Sequence, residues 1–178
     1  MTYAEVLAET AALLDSLRGV WDEDDVDELD HALQSAGRAA DDDADDELVL
    51  AAALHDLAHS PLYVAADRDR HDVAARNWLT PRYGARVGWL AGAHVAAKRY
   101  LAATDPAYAQ ALSLTSVLSL QEQGGASVDD EMSCHPWWLD GLRLRRYDDA
   151  AKVPGAAALS IADVLAVAER VLTRRGTS

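Results

Sequence analysis

The sequence predicts an all-α protein, and three observations carry that expectation. Half of the 178 residues are hydrophobic, much of that share is alanine with leucine and valine next, and phenylalanine is absent. Alanine and leucine are strong helix formers. Apolar residues recur at helical spacing in segment after segment, whereas the β-branched alternation that strands need is scarce. At this length the chain, residues 1–178, is expected to form one domain with its own core.

The elements follow in order. Val6, Leu7, Ala11, Leu14 and Leu17 give a first amphipathic helix over about 2–18, stopped at Gly19. The acidic stretch Asp22 to Asp25 leads into a second helix holding Asp27, His31, Leu33 and Ala36, with Gly37 near its end. The run DDDADDE at 41–47 places Asp45 or Asp46 as the cap of a third helix, LVLAAALHDLAH. That helix is apolar nearly all round up to His55, which puts it in the middle of the fold. Residues 60–70 read as a loop. Helical patterns resume over 71–79 and from Arg86 to Leu101, with Pro81 and Gly84 as punctuation. Asp105-Pro106 marks a turn before a helix over about 107–122. Gly124-Gly125 and Pro136 bound a less regular region, and LDGLRLRRYDDAAK is helical up to Pro154-Gly155. Ser160 with Asp163 opens a last helix, whose stripe is Ile161, Val164, Leu165, Ala168, Val171 and Leu172. Eight or so helices result.

Composition narrows the function. Thirty acidic against 16 basic residues give a net charge of −14. Such a surface repels phosphate backbones and anionic lipid, so neither nucleic acid nor membrane is expected as a partner. The single cysteine, Cys134, excludes an internal disulfide and a cysteine-cluster metal site. No apolar run approaches the roughly 18 residues of a membrane span, and the acid-bearing N-terminus reads as a helix rather than a signal peptide. A soluble cytoplasmic protein, monomer or homodimer, is the expectation.

The six histidines are the most informative feature. His55 and Asp56 sit at the end of the apolar third helix, where an imidazole and a carboxylate need partners. A divalent metal ion satisfies both. His31 lies on the preceding helix, and His71 and His94 on later ones. Imidazole nitrogen with carboxylate oxygen is the ligand set of iron, manganese or zinc, and an aspartate can bridge two ions.

His31, the pair His55-Asp56 and the late Asp148 match the H…HD…D pattern of the HD-domain superfamily. The segments HALQSAGRAA, DRHDVAARNWL, HVAAKRYLAATDPAYAQALS, SLQEQGG and LRLRRYDDAAKVPG go further. They resemble the small HD-domain oxygenases that cleave carbon–phosphorus bonds with a mixed-valent Fe(II)/Fe(III) pair, relatives of myo-inositol oxygenase. The similarity covers about residues 20–157. It implies a helical HD-domain bundle in which His31, His55, Asp56 and Asp148 hold one iron, and Asp56 bridges to a second held by His71 and His94. It implies that His59 approaches substrate or dioxygen. Lys98, four residues after His94, and Arg145, three before Asp148, share helix faces with metal ligands. They suit a dianionic phosphonate. Ser116, Ser119 and Gln123 occupy positions that add hydroxyl and amide contacts to that group.

The implied activity is dioxygen-dependent cleavage of a 1-hydroxyphosphonate of aminoalkyl or trimethylammonioalkyl type, giving phosphate and a carboxylic acid. The alternative is a metal-dependent phosphohydrolase acting on a phosphate ester or nucleotide. The chain departs from the resemblance at Trp21, where a tyrosine is usual, and at Asp24, where a glutamate is usual. Those two places line the pocket for the amino end of the substrate, and a tryptophan face beside a carboxylate suits a cationic nitrogen. The loop between His59 and His71 is several residues shorter than in the relatives, and Trp137 and Trp138 also differ.

Overall fold

Side-chain caps set most of the helix boundaries. The computed structural model describes residues 1–21, 25–67 and 69–176. Among them are ten α-helices, one 3-10 turn and no strand. Thr2 opens α1 (Tyr3–Ser16) with a capping box to Glu5, and Asp27 accepts from the Asp30 backbone to open α2 (Glu28–Asp41). Asp45 does the same for α3 (Asp46–Leu54), its carboxylate 3.0 Å from the Leu48 nitrogen. In each case a short polar side chain satisfies an amide that the first helical turn leaves without a partner.

Every residue of α3 from Leu48 to Leu54 is buried. It packs against α2, against α5 (Ala85–Thr104), against α9 (Trp138–Ala150) and against α10 (Ile161–Gly176). A helix without a polar face has to be enclosed in this way. The α-helix stops at Leu54, ahead of the expected end at residue 59. His55 is its C-cap, Asp56 has left helical geometry at φ −106° and ψ 21°, and Leu57–His59 form the 3-10 turn. The most buried helix of the bundle therefore delivers the His55-Asp56 pair at its C-terminal end.

Two further boundaries differ from expectation. The fourth helix, α4 (His71–Tyr83), runs through Pro81, because a proline so close to a helix end removes only one hydrogen bond. Gly84 then breaks the helix at φ 107°, a conformation that needs glycine, and α5 turns back along α4. The single helix expected over 107–122 is two, α6 (Pro106–Ala111) and α7 (Leu114–Glu122). Leu112 and Ser113 take extended backbone, and the Ser113 hydroxyl caps α7 by accepting from the Ser116 nitrogen. A four-residue helix, α8 (Asp130–Ser133), follows, and Ser160 and Asp163 cap each other at the start of α10. No helix among the described residues is long and apolar enough to cross a membrane.

The α4–α5 contact is made at glycines. A Cβ at Gly88 would come within 2.9 Å of the Thr80 nitrogen and 3.0 Å of the Arg76 carbonyl oxygen, and one at Gly92 within 2.9 Å of the Arg76 Cβ. Gly88→Ala should therefore cost about 1–3 kcal/mol through overpacking, read as a Tm lower by several degrees in thermal unfolding. Gly37→Ala is the opposite case. It lies within α2 with its nearest outside neighbours at 3.5 Å, so the better helix former should leave Tm unchanged or raise it.

Candidate metal centre

Five separate segments deliver six potential ligands to one place. His31 comes from the first turns of α2, His55 and Asp56 from the end of α3, His71 from the first residue of α4, His94 from the middle of α5 and Asp148 from the last turn of α9. All lie inside the bundle; His31, His55, His94 and Asp148 are buried, while His71 and Asp56 are partly so.

The two oxygens of Asp56 face different pairs of histidines. Oδ2 lies 3.1 Å from His55 Nε2 and 3.7 Å from His31 Nε2. Oδ1 lies 3.5 Å from His94 Nε2 and 3.8 Å from His71 Nε2. Asp148 closes the first group, with Oδ1 3.3 Å from His31 Nε2 and Oδ2 3.5 Å from His55 Nε2. Asp56 thus belongs to two clusters, one with His31 and His55 and one with His59 and His71.

Backbone carbonyls fix which imidazole nitrogen faces inward. His55 Nδ1 donates to the Ala52 carbonyl at 2.8 Å, His94 Nδ1 to Ala91 at 2.5 Å, and His31 Nδ1 to Ala151 at 3.1 Å across the fold. A carbonyl can only accept, so each Nδ1 carries a proton and each neutral ring turns its Nε2 lone pair to the centre. There the lone pairs meet carboxylate oxygens. His94 Nε2 and Asp56 Oδ1 are both buried without a hydrogen-bond partner. Two buried acceptors facing each other at 3.5 Å repel unless a cation lies between them. The donor set of imidazole and carboxylate fits iron, manganese or zinc.

The electrostatics differ between the two sides of Asp56. Burial pushes His94 down to about 3 against the opposing pull of Asp56, with the like charges of His55 and His71 assisting. That ring is neutral, as a ligand must be. Burial disfavours the charged form of His55 too, but the neighbouring Asp56 and Asp148 charges outweigh it and raise its pKa well above the ordinary value. Asp56 is held well below the usual carboxylate range, because its histidine neighbours override the cost of burial.

Around these ligands is a cavity of about 60 Å³ that also takes in His59, Lys98, Ser116, Ser119, Gln123 and Arg145. His59 packs beside His71 with ring centroids 5.4 Å apart. Lys98 Nζ donates to the Ser119 hydroxyl at 2.5 Å, and Gln123 Oε1 is buried without a hydrogen-bond partner. Burial, with the nearby Arg145 charge, lowers Lys98 to about 8 despite Asp148. Arg145 is bound to Asp148 at 2.5 Å, to Asp149, and to the Tyr108 hydroxyl at 3.0 Å. Two lining residues, Glu28 and Lys152, escaped the sequence reading. Their spacing held the signal: Glu28 is three residues before His31 on the same helix face, and Lys152 is four after Asp148. Trp21 is not part of the lining. The turn through Gly19 that ends α1 leaves it 64 % exposed, and Asp24 lies outside the described residues.

Fold and site together define a helical protein in which a His-Asp pair at the end of a buried helix is the hub of two ligand clusters. No family model matches the chain. Over 143 residues it is 34 % identical to the hydroxymethylphosphonate dioxygenase of Gimesia maris, which covers 75 % of this chain and 71 % of that one. Over 132 residues it is 34 % identical to the 1-hydroxy-2-(trimethylamino)ethyl-phosphonate dioxygenase (glycine-betaine-forming) of Leisingera caerulea, covering 69 % and 67 %. It is also 29 % identical over 140 residues to an uncharacterized protein of Acanthamoeba polyphaga mimivirus, spanning 63 % of that protein. The chain belongs to the HD-domain phosphonate dioxygenases.

Elemental analysis of purified variants tests the two-cluster geometry. His94→Ala should lose about half of the bound metal and Asp56→Ala nearly all of it. His135→Ala should keep the full complement, because His135 stacks on Trp89 away from the site.

Proposed function

We propose that the protein uses dioxygen and two iron ions to cleave the C–P bond of a 1-hydroxyphosphonate bearing an aminoalkyl or trimethylammonioalkyl group. The observation that carries this reading is the division of Asp56, one oxygen toward each histidine pair, beside a cavity wall bearing Lys98, Lys152 and Arg145. Membership of a family whose named relatives are phosphonate dioxygenases supports it.

The overall change balances without a further reductant. The substrate R–CH(OH)–PO₃H₂ with O₂ gives R–COOH and H₃PO₄. One C–H and one C–P bond break, and the electrons released reduce dioxygen completely. A mixed-valent iron pair, when bound, supplies the oxidising chemistry.

His31, His55, Asp56 and Asp148 would hold one ion, and Asp56, His71 and His94 the other. Carbonyls of Ala151, Ala52 and Ala91 keep three of the rings in the tautomer that ligation needs. Lys98 neutralises the phosphonate and orients the Ser119 hydroxyl, and Lys152 does the same beside Ser116, its Nζ 3.4 Å from that hydroxyl. Arg145 holds Asp148 in place and adds positive charge at the same wall. Gln123 offers an amide, and His59 stands where substrate or dioxygen would meet the His71 side.

Turnover decides between this and the hydrolase reading. Anaerobically purified protein with two irons per chain should consume dioxygen and release phosphate in equal amounts when given a 1-hydroxyphosphonate, and should show the electron-spin signal of a coupled mixed-valent pair. Manganese-dependent, oxygen-indifferent hydrolysis of a phosphate ester would overturn it. The pH profile supplies a second check. Lys98 is charged below about 8 and neutral above, so kcat/KM should fall as pH rises through that value. Lys98→Arg should hold its own, lower kcat/KM to higher pH, and Lys98→Ala should mainly raise KM.

A further inference from the structure

The four histidines of the two clusters are not held alike. His31, His55 and His94 are buried, and a backbone carbonyl fixes the Nδ1 of each. His71 keeps 26 % of its side chain exposed. Among the described residues its ring meets Asp56, His59 and His94 rather than a carbonyl. It is also the first residue of α4, and Arg70 stands at the cap position with no side-chain cap bond. The first turn of a helix is where backbone amides lack partners and where fraying begins. Something outside α4 has to keep this turn, and the ring it carries, facing Asp56.

The loop ahead of α4 supplies it. Two donors converge on the carboxylate of Asp67. The Tyr63 hydroxyl donates to Oδ1 at 2.9 Å, and Asn77 Nδ2 donates to Oδ2 at 2.7 Å. The Asp67 carbonyl in turn accepts from the Arg70 nitrogen at 2.9 Å, immediately before His71. Tyr63 is buried, with its hydroxyl also 3.3 Å from the Ala74 carbonyl, and Asn77 lies further along α4. Asp67 thus ties the loop to α4 on both sides of the turn that bears His71. At the other end of the loop the buried Ser60, next to His59, shares a 2.6 Å hydroxyl contact with Ser16 of α1. Burial, together with the Asp67 carboxylate, pushes the Tyr63 hydroxyl up to about 12, so it stays a donor at neutral pH.

We propose that Asp67 is a positioning residue for the His71–His94 cluster: joined to Tyr63 and Asn77, it clamps the loop between His59 and His71 onto α4 and holds the His71 ring toward Asp56. The inference rests on the two-ion reading above and adds what keeps the second cluster assembled. Asp67 acts through the first turn of α4 rather than on the ion itself. The two ions are therefore held unequally, one by buried rings locked to carbonyls, the other in part by a ring that a surface loop keeps in place. The ion at His71 and His94 is the one that exchanges faster.

Release of iron from the loaded protein to a chelator, followed by elemental analysis over time, tests this. The unmodified protein should lose its two ions in two phases. Asp67→Ala should speed the first phase about ten-fold, the usual scale for losing a group that orients a metal ligand, and leave the second unchanged. Asn77→Asp sets two carboxylates against each other and should do the same. Its added negative charge would by itself favour a cation, so faster release there is not a charge effect. Adding Asp67→Asn to that variant should restore slow release, because the new amide donates to the new carboxylate while its oxygen still accepts from Tyr63. Release in a single phase, equal acceleration of both phases, unchanged release in Asp67→Ala, or no rescue in the double variant would overturn the clamp. One iron per chain in the unmodified protein would instead remove the two-ion reading, and this inference with it.

Discussion

Repulsion between like groups governs this structure. Three imidazoles have their Nδ1 protons committed to backbone carbonyls, so their Nε2 lone pairs converge with two aspartate carboxylates inside the bundle. His31 Nε2 and His55 Nε2 lie only 3.4 Å apart. Groups so arranged are costly to bury unless something positive lies among them. A proton on His55 can serve that purpose on one side, and the raised pKa there records it. It does nothing for the His94–Asp56 contact, where both atoms are buried acceptors. The donors thus form two adjacent clusters, each of which could hold a cation, and the helices must hold them against their own repulsion.

They do so through a small number of rigid contacts. The α3 helix is enclosed on all sides, so its C-terminal residues have little freedom, and the ring of His55 is tied back to the preceding turn. The close approach at Gly88 and Gly92 brings α4 against α5 and sets His71 beside His94, their ring centroids 5.0 Å apart. On the other side, Gln34 bonds the backbone of Val153 in both directions, at 2.9 and 3.2 Å, and the carbonyl that ends α9 receives His31. The Gln34–Val153 and His31–Ala151 clamps join elements far apart in sequence, which places side chains more precisely than any single helix could.

Much of this was legible in the residues, and the exceptions have physical causes. Spacing and capping chemistry located nearly every helix, because apolar periodicity and Asp, Ser or Thr caps are local signals. That His31, His55, Asp56, His71, His94 and Asp148 converge was legible because a His-Asp pair after seven buried apolar residues calls for polar partners. The break at Leu112 was not, since no proline or glycine marks it and only the Ser113 cap and tertiary packing separate α6 from α7. Glu28 and Lys152 were passed over because charged residues near helix ends are usually solvated, and only the assembled fold turns them inward. Trp21 was assigned by position in a motif, and such an assignment cannot see that the chain turns at Gly19 and leaves the ring outside.

Charge at two length scales reconciles an acidic protein with the anionic substrate proposed for it. The net charge of −14 repels a phosphonate dianion at a distance, but that field is screened beyond about 8–10 Å at physiological salt. Within the cavity, local charges decide. Arg145 is already met by Asp148 and Asp149, so much of the attraction falls to Lys98, which loses charge near pH 8 because it is buried beside Arg145. For the phosphonate proposed above, then, the short-range cations of the cavity wall and not the long-range acidic field set the attraction.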